Sequence, residues 1–159
     1  MWRSAVRVGP GGLVLEPVSG AFDVKVAPGE DLEAALGRCP HGGCVLMLPG
    51  THEGPLVLTA DKVVHVFGRR QATLRTTVGH VLVCDASTAT VDGLLIRCES
   101  EDADFDPMAD EEEDFEGDYG VWIRGGELRL QGCDLTSTWD ACVRIEGGAA
   151  TNPAVIGCR

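Results

Sequence analysis

Apolar residues recur at helical spacing in only one stretch of the chain. Leu32, Ala35 and Leu36 fall at i, i+3 and i+4 after Pro28-Gly29. Glu30, Asp31 and Glu33 place negative charge in the first turn, where the helix dipole favours it. Pro40 forbids continuation beyond Arg38. The pattern predicts one short amphipathic helix over 30–38. Downstream, the chain reads as short strands broken by turn formers, at 45–48, 56–58, 63–67, 73–75, 81–84, 94–97, 121–124, 128–130 and 143–145. So many short strands point to a sandwich, a barrel or a solenoid.

Internal repetition decides between them. The segments Val64-His65-Val66-Phe67-Gly68, Ala89-Thr90-Val91-Asp92-Gly93, Leu128-Arg129-Leu130-Gln131-Gly132 and Pro153-Ala154-Val155-Ile156-Gly157 each set an apolar residue two before a glycine. The glycines lie 25, 39 and 25 residues apart, which predicts a coil of about 25 residues with 14 more inserted in the middle interval. A second register aligns Val81-Leu82-Val83, Val121-Trp122-Ile123 and Val143-Arg144-Ile145. The expected fold is all-β: a short right-handed parallel β-helix of about four to five coils, with the helix as its N-terminal cap. Residues 1–21 read as an N-terminal extension and 22–159 as one domain.

Charge changes this picture at one place. Of 25 acidic residues, 12 fall between Glu99 and Asp118 with no Lys or Arg among them; the remaining 13 balance the 13 basic residues of the whole chain. The net charge of −12 is therefore that of one segment, an acidic loop inserted at 99–118. No basic stripe exists to neutralise phosphates, so nucleic acid is not an expected partner. No apolar run reaches the length of a membrane span, and the opening residues lack the apolar core of a secretory leader. With seven cysteines and no leader, the expectation is buried thiols in a reducing compartment, cytoplasmic or nuclear.

The stretch from Val24 through Pro28-Gly29-Glu30-Asp31-Leu32-Glu33-Ala34-Ala35-Leu36, followed by Val45-Leu46-Met47-Leu48-Pro49-Gly50-Thr51-His52-Glu53-Gly54, resembles the opening of right-handed β-helix proteins of the pectin-lyase-like superfamily. His52 stands where that family usually has tyrosine. The pieces Gly120-Val121-Trp122-Ile123, Gly132-Cys133-Asp134-Leu135 and Asn152-Pro153-Ala154-Val155-Ile156-Gly157-Cys158 are similar to repeats of the carbohydrate-binding and sugar hydrolase (CASH) type. Within that group, the intracellular β-helix segments of F-box and Shc-binding proteins resemble the chain most. The resemblance implies the fold; the superfamily's functions range from lyases to pure interaction modules.

Candidate chemistry is thin. Asp102, Asp104, Asp106, Asp110 and Glu113 stand at positions 1, 3, 5, 9 and 12 of an EF-hand-like calcium loop, but Pro107 occupies the position that needs glycine. A solvated acidic loop is the favoured reading and calcium the lesser one. Phe105, Phe115 and Tyr119 interleave apolar anchors with the charges, as a segment docking on a partner's basic surface would. Cys39, His41 and Cys44 offer three metal ligands without a clear fourth. Asp85, Asp92, Asp134 and Asp140 lie on the coils, yet the paired motifs of pectate lyases and polygalacturonases are absent. Trp122, Arg129 and Arg144 are expected to face solvent, with Trp122 and Arg144 stacking as a cation–π pair. Cys133 and Cys158 read as small residues stacked in the lumen. The expected function is a non-catalytic interaction or scaffold module without cofactor; the alternative is a carbohydrate-binding domain or a lyase or hydrolase. Two copies are expected to meet through the C-terminal coil.

Overall fold

The computed structural model describes residues 4–9, 12–17, 22–85, 88–99, 118–138, 141–147 and 151–159, the first two segments as backbone only. Strands β1 (Ser4–Gly9) and β2 (Gly12–Pro17) form an antiparallel hairpin within the expected N-terminal extension. The main body begins with β3 (Val24–Val26) and the helix α1 (Leu32–Arg38). Its first coil is β4 (Gly43–Met47), β5 (Gly50–Glu53) and β6 (Leu56–Leu58); the second is β7 (Val64–Phe67), β8 (Ala72–Thr76) and β9 (Leu82–Cys84). The third is β10 (Thr88–Asp92), β11 (Leu95–Cys98) and β12 (Val121–Ile123), and the fourth is β13 (Glu127–Gln131), β14 (Asp134–Ser137) and β15 (Val143–Ile145). Strand β16 (Ala154–Ile156) follows.

Equivalent strands of successive coils pair in parallel. Sheet I runs β16-β13-β10-β7-β4-β3, sheet II β14-β11-β8-β5 and sheet III β15-β12-β9-β6. Among the described residues the molecule is an all-β parallel solenoid of about four turns with one short helix.

Alternation within each strand builds the lumen. Val45, Val66, Val91 and Leu130 form one inward column of sheet I, in register and at most 2% exposed. His52, Leu74, Ile96 and Leu135 form a column of sheet II. A histidine thus takes a lumen position, 1% exposed, its Nε2 2.9 Å from the Leu48 carbonyl. On the outer face of sheet I, Phe22, Cys44, Leu46 and Phe67 make a second, smaller cluster.

The helix covers the N-terminal mouth. Leu32 and Ala35 enter the same core as Val26, Val45, Met47 and Leu56. Asp31 caps it: its Oδ1 accepts the Ala34 N–H at 3.1 Å, while the Lys62 ammonium donates to the last-turn carbonyl of Leu36. Asp31→Ala should cost about 1 kcal/mol of unfolding free energy, measured by urea titration.

Two sequence expectations need correction. Leu46, Phe67, Asp92, Gln131 and Ile156 share one column, so successive coils advance by 21, 25, 39 and 25 residues. The two intervals of 25 have different origins. The second coil is lengthened at the corner between sheets I and II, where Arg69 and Arg70 take left-handed φ of 52° and 59°. The fourth is lengthened between β15 and β16. The period is not uniform, because each corner sets its own length while the strands alone keep register. The second correction is a slip of one residue: Leu82, not Val81, stands in register with Val121 and through it with Val143, and Val83 with Trp122 and through it with Arg144. Val81 is itself buried, so apolarity alone could not assign the register.

The long interval falls between sheets II and III. Five residues make that connection in the second coil (77–81) and five in the fourth (138–142), against 99–120 in the third. The acidic stretch 100–117 lies outside the described residues. Deleting 101–117 would leave five residues in the third coil too, matching its neighbours. The anchors would remain: Glu99 N–H donates to Thr76 O at 2.9 Å, and Asp118 Oδ2 accepts Gly79 N–H at 3.0 Å. The deletion variant should unfold cooperatively, within about 1 kcal/mol of the parent, by calorimetry or denaturant titration.

Candidate functional site

Middle positions of the sheet III strands point outward. In register these are Val57, Val83, Trp122 and Arg144, an apolar ladder ending in a guanidinium. Val57 is 41% exposed and Val83 9%.

Around Trp122 the corners of the second and third coils bring further rings and cations. His80 stacks on Tyr119 with centroids 5.1 Å apart and planes 3° apart, and sits 4.6 Å from the Trp122 ring. The stack is held in place because Tyr119 N–H donates to His80 Nδ1 at 3.0 Å, leaving the ring proton on Nε2. Arg144 lies over Tyr119 at 4.9 Å, and its guanidinium donates to the Tyr119 hydroxyl. Arg124 lies over Trp122 at 5.0 Å. Asp85 approaches Arg124 at 3.5 Å, and Glu146 pairs with Arg144.

The predicted interaction residues do not all meet. Trp122 and Arg144 are register neighbours, but the expected stacking between them is exchanged: each arginine takes the other available ring. Tyr119 is only 4% exposed, with His80 stacked on its ring and Arg144 over it, so its ring is taken up by the fold. Arg129 stands apart on the outer face of sheet I, where its Nε donates to Gln131 Oε1 at 2.8 Å. Phe105 and Phe115 lie outside the described residues, as do Asp102, Asp104, Asp106, Asp110 and Glu113, the calcium set. Sequence reasoning misses His80 and Arg124. Both sit in corners, where no periodicity marks a residue, and only the solenoid register brings them beside Trp122.

A groove of about 610 Å³ opens between α1 and β6, and Val57 belongs to both this groove and the ladder. Leu36 and Pro55 contribute apolar surface, and Glu30, Asp31, Glu33, Glu53 and Asp61 contribute carboxylates. Four are engaged: Asp31 caps α1, Glu30 pairs with Arg38 at 3.6 Å, Glu53 with Arg75 at 2.9 Å, and Asp61 accepts the Thr59 hydroxyl. That hydroxyl is the main cause holding the Asp61 carboxyl below its usual range. Strand β6 is the outer strand of sheet III here. Leu56 N–H and Leu58 O bond toward β9, so alternation turns the Val57 N–H and C=O toward the groove.

The remaining candidates separate. Cys39 and Cys44 are buried in different clusters, and His41 Nδ1 faces the Val63 N–H at 3.5 Å. Among the described residues no group of three or more His, Cys, Asp or Glu side chains could hold a metal ion. Asp85 follows β9 in sheet III, Asp92 ends β10 in sheet I, and Asp134 opens β14 in sheet II. Asp134 is bridged by Arg97 and Arg159, each at 3.1 Å. Asp140 lies outside the described residues. Compared with known proteins, the chain matches no family model, no curated sequence and no solved structure.

Proposed function

We propose that the protein is a non-catalytic interaction or scaffold module, and that its β-helix is of the pectin-lyase-like kind with CASH-type repeats. The observation that carries the functional reading is the outward ladder Val57–Val83–Trp122–Arg144, continuous with the groove beside α1. Aromatic and arginine side chains on a rigid sheet are the usual anchors of a protein interface. The two ends of this surface carry opposite charge: carboxylates cluster at the helix and guanidiniums at the third and fourth coils. A partner segment lying along it would carry basic residues at the helix end and acidic ones at the other. The module is assigned no cofactor, and a reducing compartment such as cytoplasm or nucleus suits its seven unbridged cysteines.

One observation favours a second reading, a carbohydrate-binding domain. Trp122 with Arg124 over its ring is also a platform on which a sugar could stack. The two are separated by capturing partners from cell extract on the immobilised chain and on Trp122→Ala, beside a glycan array. Proteins retained by the parent and lost from the variant support the interaction module. Glycan binding lost in the same variant, with no protein lost, would replace it by the second reading.

A homodimer through the C-terminal coil is proposed alongside. Strands β14, β15 and β16 are the outer strands of their sheets at that end, and Ile145 and Val155 are 54% and 48% exposed. Light scattering should show mass rising toward twice 16.8 kDa with concentration. A monomer that persists at high concentration contradicts it.

A further inference from the structure

We propose that Cys133 and Cys158 form a peroxide-sensitive thiol pair, which closes to a disulfide between the fourth coil and the strand that follows it. The register places them together. Gln131 pairs with Ile156, Arg159 N–H donates to Cys133 O at 3.1 Å, and Leu135 N–H donates to Arg159 O at 2.7 Å. The parallel ladder therefore runs through Cys133 opposite Cys158. Facing residues of adjacent strands have Cα atoms about 4.8 Å apart, inside the ~4.4–6.8 Å that a disulfide spans. Both side chains point to the lumen, where Cys133 belongs to the core and Cys158 packs against it.

Their surroundings differ in the way an attacking and a resolving thiol require. Cys133 is fully buried, whereas Cys158 is partly open to solvent. A hydrogen bond from the Cys133 thiol is the main cause drawing Cys158 down to about 6, against the opposing effect of burial. The same bond, then burial, pushes Cys133 well up. Of the two, Cys158 is the more readily deprotonated and Cys133 the one that keeps its proton.

The chemistry balances with a hydroperoxide as oxidant. The Cys158 thiolate attacks the terminal peroxide oxygen; the O–O bond breaks, Cys158–SOH forms, and the departing alkoxide or hydroxide takes a proton from water. The Cys133 sulfur then attacks the Cys158 sulfur, the S–O bond breaks, and hydroxide leaves with the Cys133 proton as water. Two thiols lose two electrons in all, and the peroxide gains them.

The test treats the full chain with equimolar hydrogen peroxide, blocks remaining thiols and maps peptides without reduction. Trypsin places Cys133 with Cys142 in 130–144 and Cys158 in 145–159, and fragmentation distinguishes the two partners. The expected result is a Cys133–Cys158 bridge, lost on adding dithiothreitol and retained in Cys142→Ser. Iodoacetamide labelling of Cys158 against pH should have its half-point near 6 in the parent. In Cys133→Ala the half-point should rise toward the ~8.5 of an ordinary thiol. A bridge from Cys158 to Cys142, sulfinic acid at Cys158 with Cys133 still reduced, or no oxidation at either would each overturn the proposal. The bridge is read in the unmutated chain, so it decides the matter even where Cys133→Ala folds poorly.

Discussion

Ile96→Ala should lower the free energy of unfolding by about 3–4 kcal/mol. Ile96 is 0% exposed and is flanked in its column by Leu74 and Leu135 from the coils on either side. A solenoid lumen is one side chain wide per face, so the neighbours that would fill the gap are pinned by ladders above and below. The loss takes a large share of the ~5–15 kcal/mol by which domains are stable. Urea titration should show a lower midpoint at unchanged slope. The control is Val57→Ala, on a strand of the same solenoid but 41% exposed, which should stay within about 0.5–1 kcal/mol. Equal losses at both positions would mean that sheet III is covered in a way these residues do not show.

The second large effect concerns binding. If the ladder of sheet III is the interface, Trp122→Ala should weaken the captured partner about 30- to 100-fold, the loss of a central aromatic anchor worth about 2–3 kcal/mol. Arg144→Glu should weaken it too. Arg144 also holds the Tyr119 hydroxyl, so each variant needs its unfolding midpoint measured beside its affinity. Affinity lost while the midpoint holds places the residue in the interface. Affinity and midpoint falling together would make the cluster a piece of packing.

Most of the architecture is legible in the sequence because sheet I writes itself as a repeated phrase. Gly68, Gly93, Gly132 and Gly157 sit where the chain leaves that sheet, and two of the turns show why a side chain is excluded. Gly93 has φ +67°, and a Cβ on Gly68 would stand 2.8 Å from the Gly93 carbonyl and 2.3 Å from Leu94 Cδ2. The helix is legible from its apolar spacing and its acidic first turn, and begins at Leu32 because Asp31 caps it. Sheet II is harder to see. Strands β5 and β14 begin at Gly50 and Asp134 and contain threonines, so they carry turn chemistry at their ends and little apolar signal between. β1 and β2 leave no repeat at all, since they pair only with each other.

The site is legible in part for the same reason. Trp122 and Arg144 fall in strands, and alternation alone turns them outward. His80 and Arg124 fall in corners whose lengths differ from coil to coil, so their meeting with Trp122 follows from register and not from spacing. Pairing across a ladder makes two residues neighbours without making their side chains touch, which is why it points to the wrong stacking partners. In the fold, Tyr119 enters from the corner and draws Arg144 away from the indole.

The most direct measurement of a partner-binding face on sheet III is site-specific photocrosslinking. Benzoylphenylalanine placed at Val57, in the ladder and beside the groove, should give a protein adduct in cell extract after irradiation. The same probe at Arg129, exposed on the outer face of sheet I, should give none. Adducts at 129 without adducts at 57, or none at 57 from an extract whose proteins the chain demonstrably captures, would contradict it.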